Sequence, residues 1–167
     1  MHVSKKLSIL AGAVLAAAGV ATAGAPVAAA EPLGPTLIST PISVYQIPAL
    51  GIHLNGLAVP GPLIMSVDAS SPEAGKTTFT LAVDSEEMCS TTAAYTRVRI
   101  DYANLANGTR GSTSVEPCAG FGLPLPDEST VATGSGPVVL TIAIVGQEGY
   151  PGAGQPSLPG IGGFIAP

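Results

Sequence analysis

Beyond residue 30 the chain offers one histidine, His53, and two cysteines, Cys89 and Cys118. Hydrolysis through His53 would need an acid to orient the ring and a nucleophile for it to activate. No Gly-x-Ser-x-Gly elbow occurs, and Ser135 within Gly134-Ser135-Gly136 belongs to a turn. No catalytic residue is assigned. Zinc needs several Cys and His ligands, and with the cysteines paired only His53 remains. Calcium would find carboxylates at Asp84, Glu86 and Glu87, or at Asp127 and Glu128, but their spacing matches no calcium loop, so they read as solvated acidic loops. Neither a metal nor another cofactor is expected.

Two features remain. Tyr95, Arg97, Arg99 and Asp101 alternate, so a strand would present them on one face, with two guanidinium groups and a phenol able to meet an anionic or sugar-bearing partner. The plainer reading of this stripe is pairing with acids of a neighbouring strand. Cys89 and Cys118 are 29 positions apart, a spacing suited to a structural disulfide rather than to a Cys-x-x-Cys redox pair.

The elements that position these residues are strands. Thr77, Phe79, Leu81 and Val83 alternate with Thr78, Thr80, Ala82 and Asp84, after a turn at Ser71-Pro72-Glu73-Ala74-Gly75. From Tyr95 to Tyr102 the apolar set is Thr96, Val98, Ile100 and Tyr102, and Asn107-Gly108 marks a hairpin return. Further strands are expected over Ile42–Ile47, Ile52–Val59, Leu63–Asp68 and Ser129–Thr133. Val138–Val145 is apolar on both faces, which predicts a central strand covered on both sides or nearly so. The stretch 119–128 reads as an ordered loop, and Ile161–Ile165 as a last edge strand after a glycine- and proline-rich tail. No sustained helical period follows residue 30. About seven antiparallel strands and a disulfide placed to cross the core predict an all-β immunoglobulin-like sandwich, with a small β-barrel as the alternative.

Residues 1–30 have the form of a signal peptide. Lys5 and Lys6 precede an alanine-rich apolar run, and Ala28-Ala29-Ala30 offers a cleavage site before Glu31. Residues 31–167 then form a single β domain of 137 residues. The two lysines leave with the leader, so Lys76, Arg97, Arg99 and Arg110 face eleven acids, a net charge of −7. That balance disfavours nucleic acid and anionic membrane surfaces. No cysteine for lipidation, no twin arginine and no second membrane segment is expected, so the mature chain is expected to be secreted, and free or non-covalently held at the envelope.

Pro72-Glu73-Ala74-Gly75-Lys76, followed by the Phe79/Leu81/Val83 strand, resembles the opening of many bacterial immunoglobulin-like modules. The whole is similar to small secreted actinobacterial β-sandwich proteins of unknown function. The resemblance implies a fold and a compartment, and carries over no functional residue. The leading expectation is a non-enzymatic binding protein of the envelope or extracellular space, whose partner is an envelope component or a protein. The second is a carrier of a small apolar ligand such as envelope lipid, and the third an unrecognised hydrolase.

A bridge closing a 29-residue loop restricts the unfolded chain by about 3.5 kcal/mol. Cys89→Ser is expected to lower the melting temperature by about 10 °C. A scan in which the variant melts with the wild type would show the bridge to be irrelevant.

Overall fold

The computed structural model describes residues 39–56, 58–83, 85–118 and 127–167. The leader over 1–30 with its cleavage site at Ala30, the candidate ligand Asp84, and most of the 119–128 loop lie outside them. The described residues belong to one compact unit. In chain order they form β1 (Thr40–Ile42), β2 (Tyr45–Ile47), β3 (Ala49–Leu54), β4 (Pro60–Met65), β5 (Val67–Ser71) and β6 (Lys76–Leu81). A short helical turn α1 (Ser85–Met88) and a 3-10 turn (Thr92–Tyr95) lead into β7 (Thr96–Asn104). Then come β8 (Arg110–Val115), β9 (Glu128–Ala132), β10 (Gly136–Gly146), β11 (Gly154–Leu158) and β12 (Gly160–Ala166).

Every strand pairing is antiparallel. Three sheets result, ordered β1-β5-β6-β9, β2-β12-β10-β7-β8 and β11-β3-β4, and none closes into a barrel. The first two share one core. Phe79 of β6 meets Phe164 of β12 edge-on at 5.9 Å and lies 6.4 Å from Tyr102 of β7. Val67 and Ala69 from one sheet, with Val98, Ile100, Ile142 and Ile144 from the other, complete the buried cluster.

The hairpin turns follow the sequence closely. Gly75 and Gly108 both have positive φ, at 75° and 77°, which glycine adopts without steric cost. The strand count does not follow it. About seven strands were expected and twelve are present among the described residues, because several apolar runs change sheet midway. Ile42–Ile47 is β1 in one sheet and β2 in another, parted at Ser43 and Val44. Leu63–Asp68 likewise divides at Ser66 between β4 and β5. Alternation continues across such a break, so the apolar pattern cannot reveal it. The strand expected over Ile52–Val59 begins at Ala49 and ends at Leu54.

Three further expectations are corrected. Ile161–Ile165 does dock as a strand, but β12 lies between β2 and β10 rather than at an edge. Its predecessor β11, within the glycine- and proline-rich stretch, was not foreseen. β10 is central, with β7 and β12 beside it, yet only one of its faces is covered: Val138, Leu140, Ile142 and Ile144 are buried while Val139 and Thr141 are exposed. The Cys89–Cys118 disulfide, with Cα atoms 5.6 Å apart, does not cross the core between facing strands. It ties the connection between β6 and β7 to the chain leaving β8.

Prolines mark where two strands change sheet together. β2 pairs with β12 through Ile47 and Ile161, and β3 with β11 through Leu50 and Leu158, so the register is unbroken across Pro48 and Pro159. The faces do change. Tyr45 and Ile47 are exposed before Pro48, Leu50 and Ile52 after it, a one-residue slip that swaps inward for outward positions. Gly160 stands at the crossing, where a Cβ would come within 2.5 Å of Ala49 N.

The departure of β2 leaves a gap beside β5. Pairing of Ile42 with Ala69 would place Val44 opposite Val67 if it continued, but the chain has already turned away. The Gln46 side chain fills the position: its Nε2 donates to Val67 O at 2.8 Å, and its Oε1 accepts from Val67 N at 3.1 Å. A primary amide offers the same donor and acceptor as a backbone strand. Val67 is wholly buried, so loss of this clasp would leave both groups without a partner. Gln46→Ala is expected to cost about 2 kcal/mol of unfolding free energy. Unchanged denaturant midpoints would mean that water takes over the amide's role.

Candidate binding surface

The outward face of the five-stranded sheet carries an open groove. Register sets its side chains in rows across the strands. One row runs Tyr45, Gly163, Val139, Ala103, Arg110, and the next Ile47, Ile161, Thr141, Asp101, Ser112. Gly163 and Ala103 flank Val139 in the first row, and larger apolar side chains stand on the β2 side. A groove of about 970 Å³ results, bordered by Tyr45, Ile47, Val139 and Ile161 and closed at the β8 side by Asp101 and Arg110. Tyr45 is 81 % exposed, Ile47 64 %, Ile161 58 %, Ile165 68 % and Val139 43 %. So many large apolar side chains on one face exceed the scattered ones a soluble surface ordinarily carries. Leu158, Leu50 and Ile64 form a further exposed apolar row on the three-stranded sheet.

The stripe expected at Tyr95, Arg97, Arg99 and Asp101 is only partly assembled. Arg99 and Asp101 share the open face and pair with each other, Nε to Oδ2 at 3.1 Å, along their own strand rather than across to a neighbour. Tyr95 ends the 3-10 turn one residue before β7 and stacks on Tyr150, with ring centroids 4.2 Å apart. Arg97 lies where its charge reaches Glu116. Arg110 was not singled out in the sequence, yet it is the cation that borders the groove. The sequence pattern assigns no binding role to Tyr45, Ile47 or Ile161, and it predicts Val139 to be covered because Val138–Val145 is apolar on both faces. A signal exists for β10 alone, which is apolar on both faces; in β2 the apolar–polar–apolar pattern fits one face and does not tell which face is open.

His53 lies on β3 opposite Gly61, where a Cβ would approach His53 Nε2 to 2.7 Å. It borders a smaller groove with Ser66, Glu87 and Thr91. These are the residue types of a hydrolytic site, but no hydrogen bond joins them to the ring, and Nδ1 is buried with no partner among the described residues. Thr91 Oγ1 instead donates to Met88 O at 2.8 Å and caps the 3-10 turn by accepting from Ala93 N at 3.1 Å. No nucleophile and base are therefore coupled in this geometry. Of the suggested calcium ligands, Asp84 and the side chain of Glu86 are outside the description. Among the described residues no three Asp, Glu, His or Cys side chains gather.

Comparison with family models, with curated proteins and with solved structures finds no match to this chain.

A buried carboxyl lies beyond β8. Glu116 is 2 % exposed; its Oε1 accepts from Gln147 Nε2 at 3.2 Å, and Oε2 has no hydrogen-bond partner among the described residues. Burial raises its pKa above the ordinary 4.5, and the charge of Arg97 offsets part of that rise. A raised pKa in the folded state makes the carboxyl's contribution to stability full below pH 4.5, with loss as pH rises through the folded value. Glu116→Gln, which cannot ionise, is therefore expected to gain melting temperature relative to the wild type between pH 4 and pH 7. A constant difference across that range would exclude this carboxyl as a source of pH dependence.

Proposed function

We propose that this chain is an exported, non-enzymatic binding module of immunoglobulin-like sandwich type, akin to small secreted actinobacterial proteins, and that it docks an envelope component on the open face of its five-stranded sheet. The observation that carries the reading is the exposed apolar groove at Tyr45, Ile47, Val139 and Ile161. Export is supported by the leader pattern of residues 1–30 and by the disulfide, which suits an oxidising compartment. No helix of the described residues is long and apolar enough to cross a membrane.

Binding on a surface suits the geometry better than cargo enclosed between the sheets. Phe79, Met65, Ile100 and Ile142 fill the shared core, whereas the five-stranded groove is open to solvent. Purified chain mixed with cell-envelope fragments of its host is expected to sediment with them, and Val139→Arg to remain in solution. Equal sedimentation of the variant, or none of the wild type, would overturn the reading.

A further inference from the structure

Resting on that reading of the open face, we propose that its ligand is a single-chain anionic amphiphile, whose alkyl chain lies across the strands and whose carboxylate or phosphate meets Arg110. The two ends of the groove differ chemically. At β2 the border is Tyr45 and Ile47, with Ile161 beside them; at β8 it is Arg110. Between them the groove runs over Gly162, Val139, Thr141 and Ala103, a floor with no charge. Four inter-strand spacings separate β2 from β8, about 19 Å at about 4.8 Å each. That is a track for an elongated apolar chain rather than for a compact ring. Its volume, about 970 Å³, falls in the range of small-molecule sites.

Charge selects the head group. Asp101 also borders the groove, but its carboxylate is held by Arg99 at 3.1 Å. Arg110 is exposed and has no ion pair among the described residues, so its guanidinium is the free charge at the rim. A guanidinium suits a carboxylate or phosphate because its parallel N–H groups match two oxygens. An anionic bilayer surface is a poorer match: it is recognised by clusters of Lys and Arg, whereas this domain has a net charge of −7 and Arg99, a neighbouring cation on the same face, is already held by Asp101.

Isothermal titration of the chain carrying its disulfide with dodecanoate, dodecanol and dodecyltrimethylammonium, each below its micellar concentration, tests the assignment. Dodecanoate is expected to bind one to one. Arg110→Ala should weaken it about tenfold while leaving dodecanol unchanged, and Val139→Arg should remove both. Both positions are exposed, and an unchanged melting curve confirms that each variant is folded. The proposal is overturned if dodecyltrimethylammonium binds as tightly as dodecanoate, or if Arg110→Ala leaves dodecanoate affinity intact. It is overturned in favour of a bilayer if anionic phospholipid vesicles bind and dodecanoate does not. A dimer dissolved by Val139→Arg, with no dodecanoate binding, overturns it in favour of a second copy of the chain. Envelope sedimentation lost in Val139→Arg without dodecanoate binding removes this ligand class alone; sedimentation retained in that variant removes the docking face itself.

Discussion

Val67 is wholly buried, and its N–H and C=O face a place where no strand of the described residues runs. Buried backbone groups must be paired, and here the partner is the amide of Gln46. Because the side chain supplies that pairing, β2 is free to leave β1's sheet and join β12 while the core at Val67 stays closed. The five-stranded sheet with its open face follows from this. Without β2, β12 would be an edge and the groove would lack the wall formed by Tyr45 and Ile47.

The same economy recurs at the prolines. Proline donates no backbone hydrogen bond, so a sheet tolerates it at an edge or at an irregularity. Pro48 and Pro159 lie one position apart in the register of two adjacent strands, where both swap their inward and outward faces and both change sheet. A slip in one strand alone would break the register. Paired slips preserve it and turn the outward face into the inward one, which brings Ala49 into the core just after the exposed Ile47. Many short strands thus arise from few connections, and the chain covers one core with three sheets.

The open face is the cost and the use of this arrangement. One side of the shared core does not bury all the apolar side chains of β2, β10 and β12. The surplus on β2, β10 and β12 lies outward in register, next to the small residues Gly163 and Ala103, so it forms a trough instead of a scatter of exposed side chains. Charge is sparse there: Asp101 is already held by Arg99, and Arg110 has no ion pair among the described residues.

Period-two alternation in Thr77–Val83 and Thr96–Tyr102, Gly75 and Gly108 at their turns, and two cysteines at disulfide-compatible spacing determined strand type, hairpins and bridge from local stereochemistry. Those features depend on neighbours a few residues away, or on a pair with no other choice. Which sheet a strand joins depends on partners far along the chain. Alternation reads the same on either side of Ser66 or Val44, so only the tertiary structure decided that Ile42–Ile47 serves two sheets, that Ile161–Ile165 is interior, and that the disulfide skirts the core. It also decided that Val139 and Ile161 face water: an apolar residue is equally compatible with a covered and an open face, and the difference is made by whether another layer packs against it.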